Sequence, residues 1–375
     1  MVGFLSPIAT ILLSFASIPE SPSELTNTKP SPLNDADNLR YGKFLNWFND
    51  TFPTSYTSPS ICIAPSNQGG QGIFAIEEIP ENELILRIPR TACITTSVAL
   101  EDADCGKTFA ELVKKAGPGS ETVALAGFIA KEYLLHKEGK DTKFGPFFDI
   151  LPWERGFNGQ EHVLFWSDDD VTEYLKDTLC WTETNELREE VQLATNILNG
   201  IVGPSILEVR RDKNKDENDS SMDSDDEFSL PFLNWIKPKK IAVTSPVDGL
   251  KEAVTGAFVI VLTRSFEDDN NSEVQSADTN PGNERLVPML DIFNHDNNPS
   301  ITHSTDSQGS VEVRARRTLT AGEELFNQYK EEEEMIMPNH RFFTRFGFVP
   351  GITESIYDLL KEGKNDIFIP KRKEV

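Results

Sequence analysis

The apolar positions of this chain change their period twice, and the changes divide it into parts. Between Tyr41 and Phe52, the residues Phe44, Trp47 and Phe48 recur at helical spacing and predict a short helix. Ile61 to Ala64 reads as a strand, Asn67-Gln-Gly-Gly-Gln-Gly72 as a glycine-rich turn, and Ile73 to Ile76 as the strand leaving it. Pro80-Glu-Asn-Glu83 is a turn, and Leu84 to Ile88 is a strand closed by Pro89. This first part is a β-meander carrying a glycine loop. From Thr95 to about Lys240 the period becomes helical. Ser120 is read as the N-cap of a helix reaching Lys137, with Glu121 in its first turn and Val123, Ala126, Ile129, Ala130, Tyr133 and Leu134 on its apolar positions. Phe144 to Trp153 is an aromatic, proline-rich connector, and Trp166 to Cys180 and Thr184 to Ile201 are further helices. Ala253 to Phe266 is the last long helix before the strand pattern returns. It returns as the apolar run from Leu286, the strand Val311 to Ala315, the turn Leu319 to Glu323 and the strand Leu325 to Tyr329. Met335 to Phe346 is helical. No internal repeat is visible. The fold class is therefore α+β: a β-rich domain (41–94 and 241–350) split by a largely helical insertion (95–240).

Composition changes this picture mainly at the edges. The chain has 375 residues and a formal net charge of -25. Much of the excess lies in Asp212 to Glu227 and Glu267 to Glu284, runs with Ser and Asn that cannot build a core and read as solvated spacers. Such charge disfavours nucleic acid, whose phosphates need clustered Lys and Arg, and gives at most long-range attraction for a basic partner. The four cysteines, Cys62, Cys93, Cys105 and Cys180, are too dispersed for a zinc site or a disulfide framework, and buried free thiols are expected. No metal is expected. Phe4 to Ala16 is an apolar stretch with the length of a signal-peptide core, too short and interrupted to span a bilayer, and lacking a charged n-region. Residues 1–40 are read as a targeting and disordered leader, removed to leave a form without a membrane segment. A secretory or plastid destination fits that leader; otherwise the cytoplasm or nucleus does. The chain is expected to act as a monomer.

Candidate chemistry gathers at the ends of apolar elements. Leu286-Val-Pro-Met-Leu-Asp-Ile-Phe-Asn-His-Asp296 delivers Asp291, Asn294 and His295, and Gly322-Glu-Glu-Leu-Phe-Asn-Gln-Tyr329 delivers Tyr329. A carboxylate between Leu290 and Ile292 must find donors. Arg264 stands late in an apolar helix, where a snorkelling surface charge is the ordinary reading. Gly69, Gly70 and Gly72 let a backbone approach a ligand closely, though any hairpin turn needs glycine too. An Asn-His-Asp tripeptide alone is an ordinary polar turn, and a single strand-end tyrosine ordinarily finishes a core.

Taken in order, these segments resemble the SET-domain protein methyltransferases. Gly69-Gly-Gln-Gly-Ile-Phe-Ala75 with Ile79-Pro-Glu-Asn-Glu-Leu84 is similar to the opening of that domain, with Asn82 in place of a turn glycine. Phe144-Gly-Pro-Phe-Phe-Asp-Ile-Leu-Pro152, Phe165-Trp-Ser167 and Thr263-Arg-Ser-Phe266 resemble the subgroup of Rubisco large-subunit and actin-histidine methyltransferase-like proteins. The resemblance implies a fold of small sheets with a pseudoknot-like C-terminal part, S-adenosyl-L-methionine as cofactor, and a protein substrate. Cofactor binding would fall to Gly69, Gly70, Gln71, Gly72, Arg264, Asp291, Asn294 and His295, and catalysis to Tyr329. Phe346 stands where the subgroup often has a tyrosine lining the substrate channel. The expected activity is methylation of a lysine ε-amine in a non-histone protein. The alternatives are methylation of a histidine, or a catalytically silent SET-like domain that binds proteins. The tail, 351–375, is expected to lack the helical substrate-binding domain that commonly follows in the subgroup.

Overall fold

The computed structural model describes residues 30–217, 246–267, 284–329 and 338–364. The apolar N-terminal segment, most of both acidic spacers and Lys371 to Lys373 lie outside these residues.

Helix α1 (Asp35–Thr51) begins earlier than its apolar spacing predicts, because Asn34 caps it by accepting from the Asp37 N–H. Residues 35–40, assigned to a leader, are therefore helical. Phe44 and Phe48 are fully buried, and Phe44 lies 5.9 Å from the ring of Phe147. Strands β1 (Tyr56–Thr57), β2 (Ile61–Pro65), β3 (Gln71–Ala75), β4 (Leu84–Ile88) and β5 (Ile94–Thr95) follow.

The insertion contributes α2 (Thr96–Leu100), α3 (Gly106–Ala116), α4 (Ser120–Lys137), α5 (Gly145–Phe148), α6 (Asp168–Leu175) and α7 (Cys180–Glu217). Ser120 is the first residue of α4 rather than its cap; Gly119 holds the cap in left-handed geometry, and the Ser120 hydroxyl donates to the Gly117 carbonyl at 2.6 Å. Helix α7 does not stop at Ile201. It continues through Pro204, because Val202 and Ile206 on either side are fully buried in the core, which offsets the lost backbone bond. Lys131 of α4 is buried with its amine on Asp102 at 2.6 Å and Asp104 at 3.3 Å, the pairing a buried charge requires.

The second half of the chain supplies α8 (Leu250–Arg264), β6 (Ser265–Glu267), β7 (Glu284–Leu286), β8 (Asn294–His295), β9 (Ile301–Thr305), β10 (Val311–Ala315), β11 (Glu324–Asn327), α9 (Asn339–Phe346) and α10 (Ile356–Lys361). Helix α8 packs on α4 and α7 and ends at Arg264, so Phe266 lies in a strand rather than in the predicted helix. The apolar run from Leu286 is not one strand. It breaks at Met289, whose φ is +75°, into a single turn over Leu290–Ile292 and then β8. Strand β9 went unread because Thr302 to Ser304 are polar and exposed on this edge strand. Beyond Pro350, α10 buries Ile356, Tyr357 and Leu360 beside Trp166 and Phe343. Residues 351–364, the described part of the segment read as a tail, thus include a packed helix.

Strands from the two halves interleave. The sheets run β1-β4-β10-β9, β2-β3-β11-β8 and β5-β7-β6. Leu86 faces Val313 and Ile73 faces Leu325, both antiparallel, while β8 runs parallel to β11. The split β domain read from the sequence is therefore closed by pairings across the helical insertion.

Because Phe44 anchors α1 in the aromatic cluster, Phe44→Ala is expected to cost about 3–5 kcal/mol of stability. Urea unfolding of wild type and variant at one pH measures this, and a loss within error of zero contradicts the packing role.

Candidate active site

The site is built where β3, β8 and β11 lie side by side. Gly69 and Gly70 hold φ of +93° and +65° in the turn before β3, so their freedom is used conformationally. A Cβ on Gly70 would fall 2.2 Å from the Asn158 carbonyl, and one on Gly72 would fall 2.3 Å from Glu324 Oε1. Glycine at those two places thus makes room for a loop of the insertion and for a carboxylate.

That carboxylate organises the next residue. Asn294 Nδ2 donates to Glu324 Oε1 at 2.9 Å and to the Gln71 carbonyl at 3.2 Å, while Ser66 Oγ donates to Glu324 Oε2 at 3.0 Å. Burial raises the Glu324 pKa, and its bonds to Asn294 and Ser66 oppose the rise. The neighbouring His295 is buried; its Nδ1 accepts the Tyr329 N–H at 3.1 Å, which puts its proton on Nε2, 3.2 Å from Asn297 Oδ1. Burial lowers its pKa and favours this neutral ring.

Tyr329 stands two positions beyond the end of β11 rather than within the predicted strand. Its hydroxyl donates to the Phe293 carbonyl at 2.8 Å, and its ring lies 5.3 Å from His295 and 5.7 Å from Phe346. Burial pushes its pKa up to about 12. It is therefore a neutral hydroxyl at physiological pH and no base.

Arg264, at the end of α8, donates from Nη1 to the Asp291 carbonyl at 2.8 Å and sits 3.4 Å from Asp291 Oδ2. Asp291 is buried inside the turn that follows Met289. Burial raises its pKa to about 6, against the opposing pull of Arg264. Asp291 Oδ1 and Arg264 Nε are both buried without a hydrogen-bond partner.

A cavity of about 390 Å³ runs between Gly69, Arg264, Asn294, His295, Tyr329 and Phe346, with Phe348 to Thr353 forming one wall. Behind it a chamber of about 30 Å³ is lined by Gly69, Gln71, Asn158, Arg264, Asp291 and Asn294, among others. The structure thus gathers the sequence-predicted residues around two adjoining spaces, except that Gly70 and Gly72 line neither and act by making room. Among the described residues no group of histidines, cysteines and carboxylates could hold a metal, and none of the four cysteines is in a disulfide. Sequence reading missed Glu324, Asn158 and the pocket wall at Phe348 to Thr353. Glu324 had a signal, being a carboxylate inside the Gly322-Glu-Glu-Leu strand pattern; Asn158 sits in an aperiodic loop and had none.

The raised Asp291 pKa has a consequence for stability. The fold favours the protonated carboxyl, so this contribution is full below the ordinary value of 3.8 and is lost as pH rises through about 6. Compared with Asp291→Asn, the wild type should lose up to about 3 kcal/mol between pH 4 and 7. Denaturant unfolding of both proteins across that range measures the gap, and a pH-independent gap contradicts the assignment.

A family model described as SET domain matches residues 70–330. The solved SET domain of LSMT bound to lysine and AdoHcy superposes with a TM-score of 0.54 at 15% identity, covering 83% of this chain and 57% of that one. Rubisco LSMT bound to sinefungin and monomethyllysine gives 0.54 at 17%, covering 83% and 56%. Rubisco LSMT bound to AdoMet gives 0.54 at 17%, covering 83% and 57%. At such identities the likeness speaks for the fold, and this chain spans somewhat more than half the length of those it matches. No curated protein matches the sequence. With the family match running from the glycine turn to just past Tyr329, on the architecture of those solved domains, the chain belongs to the SET domain family.

Proposed function

We propose that this protein is an S-adenosylmethionine-dependent protein methyltransferase acting on a lysine ε-amine of a non-histone protein. The observation that carries the reading is the placement of Tyr329 on the carbonyl of Phe293, the residue next to Asn294 and His295, in one cavity with Arg264. Cavities of this size, about 300–1,000 Å³, are typical of small-molecule sites. The residues fit the cofactor: a zwitterionic amino-acid end matches the unpaired Arg264 Nε and Asp291 Oδ1, and the Gly69 turn admits close approach. The similar solved domains carry AdoMet, AdoHcy or lysine, which supports the same ligands here. Asn294 and His295 would hold the nucleoside and amino-acid parts, with Gln71 and Gly69 beside them.

When bound, the cofactor supplies an electrophilic sulfonium methyl. The chain's task is to present a neutral amine in line with it and to exclude water. A free lysine amine titrates near 10.4 and must arrive deprotonated. Among the described residues the groups beside Tyr329 offer no ready base, and Asp296, the carboxylate on the cavity wall, accepts the Asn298 N–H. His295 spends its Nδ1 lone pair on the Tyr329 N–H, and Asp291 lies in the rear chamber beside Arg264. Desolvation against Phe346 and Phe348, which line the cavity, lowers the amine's pKa instead. The Tyr329 hydroxyl, its proton committed to Phe293, keeps its lone pairs for the amine N–H or the methyl C–H bonds. Phe346 contributes no hydroxyl, so the acceptor nitrogen meets a mainly apolar wall. That wall also favours a flat imidazole, which makes a histidine acceptor the second reading.

The purified protein, labelled cofactor and a lysate of its own cells test the reading. Transfer to lysine is expected, and Tyr329→Phe should slow it roughly a hundredfold. Asn294→Ala should weaken cofactor binding about tenfold. Label found on histidine by mass spectrometry selects the second reading, and binding without any transfer removes the enzymatic one.

A further inference from the structure

Gln71 is tethered from outside the family-matched region. Its Nε2 donates to Asp37 Oδ2 of α1 at 3.1 Å. The same carboxylate accepts from Asn34 Nδ2 at 2.8 Å and pairs with Arg40. Arg40 in turn lies over the Phe157 ring, beside the Asn158 that lines the rear chamber. A carboxylate only accepts, so the amide must turn its NH2 to α1 and its carbonyl away. Gln71 Oε1 is buried and meets no donor. Gln71 lines the rear chamber together with Asp291 and Arg264, whose Oδ1 and Nε are buried and unpaired as well.

Buried polar atoms are nearly always paired, so three unpaired ones around one chamber mark a site completed by a ligand group. Two acceptors beside a guanidinium donor complement an α-ammonium and its carboxylate. We propose that the Gln71 side-chain carbonyl accepts from the α-ammonium of the cofactor's amino-acid end, and that Asp37 is the positioning residue that aims it. The inference rests on the methyltransferase reading above and adds α1 to the cofactor site. Asp37 therefore acts through Gln71 on the amino-acid end of the ligand, where Asn294 also lines the chamber.

The test separates the two ends of the ligand. Calorimetric titrations with S-adenosylhomocysteine are compared with 5′-methylthioadenosine, which keeps the adenosine thioether and lacks the amino-acid end. Gln71→Met keeps the side chain's length and removes its acceptor. It should bind S-adenosylhomocysteine about tenfold more weakly and 5′-methylthioadenosine unchanged. Asp37→Leu should show the same selective loss, and Asp37→Asn, which keeps an acceptor, should restore most of the affinity. Should Asp37→Leu fail to fold, Gln71→Met decides alone. Equal weakening toward both ligands, or none toward S-adenosylhomocysteine, overturns the proposal while leaving the methyltransferase reading intact. A wild type that binds neither ligand removes the cofactor reading and this inference together.

Discussion

The site depends on one short stretch of parallel backbone pairing. Phe326 faces Asn294 and Asn327 faces His295, in a sheet whose other pairings are antiparallel. The Asp296 N–H donates to the Asn327 carbonyl at 3.0 Å, and the Ser300 hydroxyl accepts the Phe326 N–H at 2.7 Å, so the pairing is clamped on both sides. His295 then extends the ladder with its own ring by accepting the Tyr329 N–H. The distance between the asparagine that would hold a cofactor and the tyrosine that would meet a substrate is thereby set by backbone hydrogen bonds rather than by loops. Geometry of that kind is what a positioning catalyst needs, since it does its work before the reaction begins.

Electrostatics around the pocket run against the gross composition only in part. The chain is strongly acidic, and acceptors stand in or next to the pocket: Asp291 and the Gln71 amide line the rear chamber, and Glu324 sits behind Asn294. Arg264 is the cation among them, held to the Asp291 backbone. Such an arrangement favours a ligand that is itself positive at its centre and zwitterionic at one end. It also explains why the buried carboxylates carry raised pKa values: each gives up hydration for a small number of donors.

Much of this was legible in the residues because period and fold agree. Leu84 to Ile88 and Val311 to Ala315 are strands with the bounds their alternation predicts, and the Ser120 to Lys137 helix has the predicted span. Where tertiary packing overrides local preference, the reading failed. Helix α7 passes Pro204 on the strength of its buried face, and the Leu286 run breaks at a positive-φ methionine that no propensity marks. The site's polar partners were unreadable for another reason. Glu324 meets Ser66 across 258 positions and Gln71 meets Asp37 in the first turn of α1, within the stretch read as leader, so neither pair leaves a local signature. The order of the motifs was visible; the hydrogen bonds joining them were not.

The interleaving of β3 with β11 and of β4 with β10 also orders events during synthesis. A nascent chain carries β3 and β4 with open edges until the ribosome has delivered the entire helical insertion and the residues up to Asn327. Within the insertion α3 and α7 can pack on α4 in the meantime, while the sheets wait for partners that are the costliest kind to bring together. Unpaired strand edges are templates for other chains, so the same topology that fixes the pocket creates a window of vulnerability to aggregation. The strand pairs that β11 makes thus cannot form before it is delivered, and the site that depends on them is tied to the joining of the two halves.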